Sequence, residues 1–297
     1  MNSIFGLLAP VLGPILRFIC NFVGNYGIAI ILFSVLIKVL ILPLTIKQQR
    51  SMVETKRIQP YLNELQRKYK NDKDKYAIEM QKLYKQHNIN PMGGCLPLLV
   101  QMPIIFGLYY VIIRPVTYIM GVTDTSILQQ IVDRLQLGIE PNMIQTSEIQ
   151  IAEAIGKHYD QVADLVPNVS QIDFSFLGLN LAEKAQFSQP SLLWIIPILA
   201  GLTTWLQTKF MTASMGNNQP SGNEQADQAQ SMTKSMNMIM PFFTAYFGFI
   251  LPAGLGLYWI VNNVIAILQQ FLLSKFYFKE LPPIEIEKNT KKKKKGS

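Results

Sequence analysis

The stretch 28–46, IAIILFSVLIKVLILPLTI, decides the fold, because its nineteen residues are apolar apart from Ser34, Thr45 and one lysine, Lys38. A helix of this length, at about 1.5 Å per residue, spans a hydrocarbon core of ~30 Å. Lys38 is near the middle, roughly 12 Å from the basic end at Lys47, which is farther than a lysine stem reaches. Two interpretations are open: a lysine tolerated in a tilted helix, or one that faces a wet cavity inside the membrane.

The composition indicates an integral membrane protein. The 297 residues are 49% hydrophobic and 15% charged, with a mean hydropathy of +0.20, and the apolar residues form long blocks. Two cysteines, Cys20 and Cys95, predict no disulfide framework. The two histidines, His87 and His158, are isolated, so we expect no metal site and no cofactor.

Apolar blocks of this kind predict an all-α integral membrane protein with five transmembrane helices. Numbered as spans 1 to 5, the blocks are 26–46, 95–114, 191–210, 236–251 and 255–273. Residues 1–25, which are broken by Pro10 and Pro14, predict an N-terminal helix lying in the membrane interface, with a signal peptide as the alternative.

The polar segments between the spans have distinct patterns. Segment 47–91 predicts a helical hairpin, because apolar residues recur at helical spacing on both sides of a turn at Asn71-Asp72-Lys73. Segment 115–190 is a long loop with short amphipathic pieces, and we assign it no role. Segment 211–235 is rich in Gly, Asn, Gln and Ser and predicts a flexible linker. The tail, 274–297, contains five consecutive lysines, Lys291–Lys295.

The charges of these segments predict the topology. The hairpin has eleven Lys and Arg against five acidic residues, the tail has eight against three, and the 115–190 loop has three against nine. The positive-inside rule therefore places the hairpin, the linker and the tail in the cytoplasm. The N-terminus and the acidic loop are then outside, and Cys20 and Cys95 fall on opposite sides of the membrane.

The sequence does not favour an enzyme. It has no phosphate-binding glycine loop, no Ser/His/Asp set and no HExxH motif, and no span contains a carboxylate for a proton relay. The spans contain neutral polar residues instead. Ser34 and Lys38 share one face of span 1, and Gln101 and Asn262 lie in spans 2 and 5. Thr203, Thr204 and Gln207 of span 3 complete a set that predicts a hydrophilic groove, because unpaired polar groups are costly in hydrocarbon.

Three motifs carry a resemblance to a known family. They are the lysine five residues before Pro43-Leu44-Thr45, the stretch from Asn90 to Ile104 (NPMGGCLPLLVQMPI), and the stretch from Leu251 to Asn263 (LPAGLGLYWIVNN). In this order, and together with five spans and a hairpin, they resemble the YidC/Oxa/Albino family of membrane protein insertases in its bacterial five-span form. The resemblance covers roughly residues 22–120 and 174–278.

The resemblance implies an insertase and folding chaperone with a positively charged groove open to the cytoplasm and to lipid. The family's groove cation is usually arginine, so Lys38 implies a point charge without bidentate binding. By the same resemblance Met102, Ile105, Phe247 and Trp259 match a hydrophobic slide for the client. Without the resemblance these four residues have a plainer interpretation, as lipid-facing or core residues.

The partners implied are nascent membrane proteins, with the ribosome and the Sec translocon as further candidates. The basic tail is either a topology anchor on anionic lipids or a ribosome contact, and we expect no other nucleic acid site. The expected location is a bacterial plasma membrane. Two other functions stay open: a small anion transporter or channel that uses Lys38 as its binding site, and a passive scaffold in a larger complex.

Overall fold

The computed structural model describes residues 8–70, 72–87, 89, 96–166, 172–215 and 224–276. Within these ranges it is mostly helical, as the sequence predicts. The helices are α1 (Ala9–Val23), α2 (Tyr26–Leu40), α3 (Leu42–Lys68), α4 (Lys73–Gln86), α5 (Leu96–Ile113), α6 (Thr125–Arg134), α7 (Glu148–Lys157), α8 (Tyr159–Val162), α9 (Ile195–Met215), α10 (Glu224–Ile250) and α11 (Ala253–Phe276). Strands β1 (Ser175–Phe176) and β2 (Leu179–Asn180) form an antiparallel hairpin.

Several predictions fall outside the described residues. They concern the first residues of the N-terminal segment (1–7), the turn at 90–94 with Cys95, part of the long loop (167–171), the middle of the linker (216–223) and the basic tail from residue 277 onward.

The first predicted span, 26–46, contains a break that the sequence analysis did not predict. Helix α2 ends at Leu40, α3 begins at Leu42, and the two helices are bent by 59°. Pro43 lies in the first turn of α3, where its missing N–H costs nothing and its ring opposes an unbroken continuation of α2. Helix α3 then runs without interruption to Lys68, so the first arm of the hairpin continues directly from the membrane segment.

The hairpin is formed by α3 and α4. A small apolar core joins them through Ile58, Leu62, Leu83 and Ile89. Asp72 begins α4 by accepting a hydrogen bond of 3.0 Å from the backbone N–H of Lys75, which satisfies one free donor at the helix start.

The described helices differ in how well they suit a membrane. In length and composition, α11 from Ala253 to Lys275 is long and apolar enough to cross a bilayer, and α2 with α3 meets the same test as a bent pair. Three more stretches are apolar but shorter, namely Ala9–Val23, Val100–Ile113 and Asn237–Ile250. Five spans therefore stay a prediction.

The linker between the third and fourth predicted spans is shorter than the sequence indicates. Helix α9 extends to Met215 and α10 begins at Glu224, so the flexible linker predicted over 211–235 is wrong on both sides of 216–223. Apolar side chains are not needed there, because backbone hydrogen bonds carry a helix beyond the hydrocarbon. The two helices pack closely: a Cβ on Gly248 would lie 2.8 Å from Cα of Pro197.

The long loop closes one end of the helices. The backbone N–H of Tyr26, at the start of α2, donates to the carbonyl of Asp173 at 3.0 Å. At the start of α11, the N–H groups of Ala253 and Gly254 donate to the carbonyls of Glu183 and Leu181, each at 2.8 Å. These bonds satisfy donors that helix starts leave free, and they fix α2 and α11 relative to one another.

Candidate functional site

A cavity lies at the end of the helices from which the hairpin extends. It is open to solvent, and the space in it that is not filled by protein atoms is about 730 Å³ when the solvent at its mouth is included. Its walls come from α2, α3, α5, α9 and α11. The lining residues are Lys38, Ile41, Leu44, Thr45, Gln48, Gln49, Met52, Val100, Gln101, Gln207, Phe210, Met211, Ala266, Ile267, Gln269 and Gln270. Lys38 is the one charged side chain among them.

Lys38 is buried in the wall of this cavity, with 9% of its surface exposed. In the part of the chain that the structure describes, no carboxylate forms an ion pair with it. It occupies the last turn of α2, where the carbonyl end of the helix dipole favours a positive charge. The bend at Ile41 thus has a direct electrostatic consequence, because it ends α2 next to the ammonium.

Gln101 shares the cavity with Lys38. Its Nε2 donates to the hydroxyl of Tyr258 at 2.7 Å, which ties α5 to α11 at the cavity wall. Tyr258 is almost completely buried, and it lies inside the motif 251–263, although the sequence analysis assigned it no role. Gln207, which the sequence groups with the polar residues of the spans, also lines the cavity.

Ser34 and Asn262, expected in the groove, do not line it. Ser34 lies one turn from Lys38, but its hydroxyl donates to the carbonyl of Ile30 at 2.7 Å within its own helix. A serine hydroxyl can always satisfy itself in this way, and spacing alone does not reveal it. Asn262 is buried on α11, one turn from Tyr258 and one turn from Ala266 of the lining.

The two threonines of the third predicted span serve a helix contact. Asn263 donates from Nδ2 to the hydroxyls of Thr203 and Thr204, at 3.1 and 2.8 Å. The two threonines are not among the lining residues, and their contact with Asn263 joins α9 to α11 about one helical turn from Gln207 and Ala266 of the lining. The neighbouring Asn262 and Asn263 thus face different surroundings, because successive residues of a helix are rotated by about 100° around its axis.

The four residues matched to a hydrophobic slide lie on three helices. Met102 and Ile105 are on α5, Trp259 is on α11, and these helices meet at the bond between Gln101 and Tyr258. Met102 is exposed, whereas Ile105 and Trp259 are half-buried against the main core. Phe247 is exposed on α10, where its ring stacks near Phe243 at 6.3 Å between centroids. Met102, Ile105 and Trp259 thus lie on two helices that contact one another, and Phe247 lies on a third.

Glutamines are the feature that the sequence interpretation missed. Gln48, Gln49, Gln269 and Gln270 line the cavity together with Gln101 and Gln207. The signal was present, because the pairs at 48–49 and 269–270 stand at the ends of two apolar blocks. Amides at a span end are usually solvated, and only the packing of α3 against α11 turns them inward.

Comparison with known proteins identifies the relatives of this chain. The model of the 60Kd inner membrane protein family matches residues 18–280. The membrane protein insertase YidC of Fusobacterium nucleatum is 32% identical over 275 residues, which are 93% of this chain and 98% of the relative. That of Caldanaerobacter subterraneus is 31% identical over 90% of this chain and 94% of the relative. That of Geobacter sulfurreducens is 31% identical over 91% of this chain, which spans only 38% of that longer protein.

Proposed function

Because the chain belongs to the 60Kd inner membrane protein family, we propose that it is a membrane protein insertase and folding chaperone that acts on nascent membrane proteins. The observation that carries the mechanism is Lys38, a buried ammonium without an ion pair among the described residues, in the wall of an open cavity lined by glutamines and apolar side chains. Insertion needs no bond to be made or broken, so the activity rests on binding and release alone.

The first step is capture of the client's short extracytoplasmic tail. The cytoplasmic hairpin of α3 and α4 meets the nascent chain, and Lys38 attracts acidic residues of the tail into the cavity. Two unit charges 4 Å apart attract by about 4 kcal/mol at the effective dielectric constant of a partly wet protein site. Because α3 forms both a hairpin arm and part of the cavity wall, the client passes from one to the other along a single helix.

The second step is release of the client's apolar segment into lipid. Met102, Ile105 and Trp259 flank the contact between α5 and α11, next to the cavity wall. Phe247 offers a further exposed apolar surface on α10. An apolar segment gains about 25 cal/mol per Å² when it leaves water, which drives it along these side chains while the tail stays bound at Lys38.

The proposal includes a topology and a location. Five spans at 26–46, 95–114, 191–210, 236–251 and 255–273 place the hairpin and the tail in the cytoplasm and the long acidic loop outside, in a bacterial plasma membrane. Anionic lipids at the basic tail, the ribosome and the Sec translocon are its proposed partners, and we propose no cofactor.

Replacement of Lys38 tests the electrostatic step. The client is a single-span protein with an acidic N-terminal tail, and its insertion into liposomes that contain the purified protein is measured by protease protection. We expect Lys38→Arg to insert it like the wild type, Lys38→Gln to insert it about tenfold less, and Lys38→Glu to insert it least. A tenfold loss corresponds to roughly 1.4 kcal/mol, the net value of the charge contact after the cost of desolvating both groups is subtracted from their attraction. Equal insertion by all three variants would remove Lys38 from the mechanism.

An anion transporter is the second candidate, because a buried cation in an open cavity also fits an anion site. Liposomes that contain the purified protein without any client separate the two functions. A flux of small anions that Lys38→Gln abolishes would favour the transporter, whereas the insertase predicts no such flux.

A further inference from the structure

The cavity has an unusual wall. Six of its lining side chains are glutamines, Gln48, Gln49, Gln101, Gln207, Gln269 and Gln270, and they come from α3, α5, α9 and α11. Apart from Lys38, the lining contains no charged group, and its other members are apolar or a single threonine. A cavity that bound only an anion would need hydrogen-bond donors and no acceptors. This wall supplies donors and acceptors in similar number, because each amide has a carbonyl oxygen and an NH₂ group.

Three of these six glutamines already form hydrogen bonds within the protein. Gln101 donates to Tyr258, and Gln49 donates to the side-chain oxygen of Gln270, a bond that joins α3 to α11. The other three, Gln48, Gln207 and Gln269, form no hydrogen bond within the part of the chain that the structure describes. Gln48 is nevertheless only 6% exposed. Amides that face the cavity without a protein partner can exchange water there for a ligand with a matching donor or acceptor.

The backbone of an extended polypeptide has the matching chemistry. Each of its peptide units presents one N–H and one C=O, and an extended chain in a low-dielectric region cannot pair these groups internally. A glutamine side chain offers the same two functions, whereas an ammonium only donates. Side chains of the bound segment contribute nothing to such bonds, so recognition by the amides is independent of its sequence.

Resting on the function proposed above, we propose that Gln48, Gln207 and Gln269 bind the main chain of the client's extended polar tail. Lys38 then selects among tails by charge, and the glutamines hold any tail while its backbone is unpaired. A client segment that has already folded into a helix is not a ligand for them, because its backbone groups pair internally. The two contributions can therefore be measured separately: Lys38 binds the tail's negative charge, and the glutamines bind its unpaired backbone.

The test uses two clients that differ only in the tail, one acidic and one with every Asp and Glu changed to Asn and Gln. The triple variant Gln48→Leu, Gln207→Leu, Gln269→Leu removes the three unoccupied amides. We expect it to lower insertion of both clients by the same factor, about tenfold, because three lost hydrogen bonds contribute roughly 0.5 kcal/mol each. Lys38→Gln lowers insertion of the acidic client alone.

Two further variants control for folding and for hydrophobicity. The triple variant Gln130→Leu, Gln150→Leu, Gln161→Leu changes three exposed glutamines of the long loop, outside the cavity and the hairpin, and should insert both clients like the wild type. Replacing the same three cavity glutamines by Asn keeps the amides and should restore most of the insertion. If the cavity Leu variant does not accumulate, crosslinking in the otherwise wild-type protein tests the proposal instead. A photoreactive residue replaces Met211, which lines the cavity, and its crosslinks to a stalled client are mapped. We expect them along both tails, and crosslinks to the acidic tail alone would overturn the proposal.

The outcomes separate this inference from the proposed function. If the cavity triple variant inserts both clients normally while Lys38→Gln impairs the acidic one, the amides bind no backbone and the insertase mechanism stands. If the triple variant impairs only the acidic client, the glutamines merely support Lys38, and backbone recognition is overturned. If neither variant changes insertion of either client, the proposed mechanism itself fails.

Discussion

At the residue scale, Lys38 has to stay charged in a mostly apolar surrounding. Burial of an isolated ammonium in hydrocarbon is expensive, and in the described part of the chain no carboxylate neutralises Lys38. The carbonyl end of α2 offsets part of this cost, and we propose that water in the open cavity and the neighbouring glutamine amides offset the rest. The lysine and Gln101 could be predicted from the sequence, because a polar residue inside a long apolar run needs a reason.

Glu148 is a second buried ionisable residue, located in the long loop at the start of α7. It is 1% exposed, and its carboxylate accepts hydrogen bonds from the N–H and the hydroxyl of Thr117, at 2.8 and 2.7 Å. Burial raises the pKa of Glu148, and this outweighs the hydrogen bonds from Thr117 and the charge of Arg114, which lower it. Since the folded state binds the proton more tightly than the unfolded state, Glu148 stabilises the loop at low pH, and this contribution is lost as the pH rises through the folded pKa.

The prediction is that Glu148→Gln flattens the pH dependence of loop stability. In the wild type, amide hydrogen exchange at Val116–Met120, corrected for intrinsic rates, should show weaker protection at pH 7.5 than at pH 5, and the variant should lose this difference. Glu140→Gln, at an exposed site in the same loop, is the control and should behave like the wild type. An unchanged pH profile in Glu148→Gln would show that this carboxyl does not titrate as its burial requires.

At the element scale, the helix junctions explain which predictions succeeded. Periodicity indicated the arms of the hairpin, since apolar residues such as Ile58 and Leu83 recur on one face of each arm. Periodicity did not reveal the break at Ile41, because Pro43 is compatible with either a kink or a new helix start. The extension of α10 back to Glu224 was also missed, since a polar helix end and a polar linker have similar compositions.

Asn263 is predicted to stabilise the pairing of α9 with α11. Asn263→Leu removes two side-chain hydrogen bonds, and we expect the free energy of unfolding to fall by about 1 kcal/mol, since such bonds contribute roughly 0.6 kcal/mol each inside membranes. Thr203 and Thr204 keep their bonds to the carbonyls of Leu199 and Ala200, so neither is left unpaired. Thermal unfolding in detergent measures the change.

Asn262→Leu is the matched control, with the same change of side chain at the next position. Asn262 is also buried, but it forms no hydrogen bond among the described residues, so this variant should lose less stability than Asn263→Leu. A larger loss for Asn262→Leu would mean that the contact between Asn263 and the threonines contributes little.

At the scale of the whole molecule, the long loop and the cavity lie at opposite ends of the same helices. Backbone bonds from Tyr26 and Gly254 to the loop hold the starts of α2 and α11, whose later turns line the cavity. The sequence indicated the short amphipathic pieces of this loop. It did not indicate that the loop holds the starts of α2 and α11, because backbone hydrogen bonds between distant segments leave no pattern in the side chains. The glutamine wall was hidden for a similar reason, since it exists only once four helices have packed.

The topology predicts opposite labelling of the hairpin and the loop. In a protein whose two cysteines are replaced by serine, we expect Gln161→Cys, exposed in the loop, to react with a membrane-impermeant maleimide added to right-side-out vesicles. Gln81→Cys, exposed on α4, should react only after the vesicles are permeabilised. The reverse pattern would place the hairpin outside and remove the proposed route of client entry.

Water access to residue 38 tests the central claim most directly. In the same cysteine-free protein, Lys38→Cys is treated with a charged, water-soluble thiol reagent from the hairpin side, alongside Leu32→Cys on the exposed apolar surface of α2. We predict that Lys38→Cys reacts readily, at a rate closer to that of Gln81→Cys than to that of Leu32→Cys, because the cavity is open and wet. A thiol at position 38 that is as unreactive as one at position 32 would contradict the account.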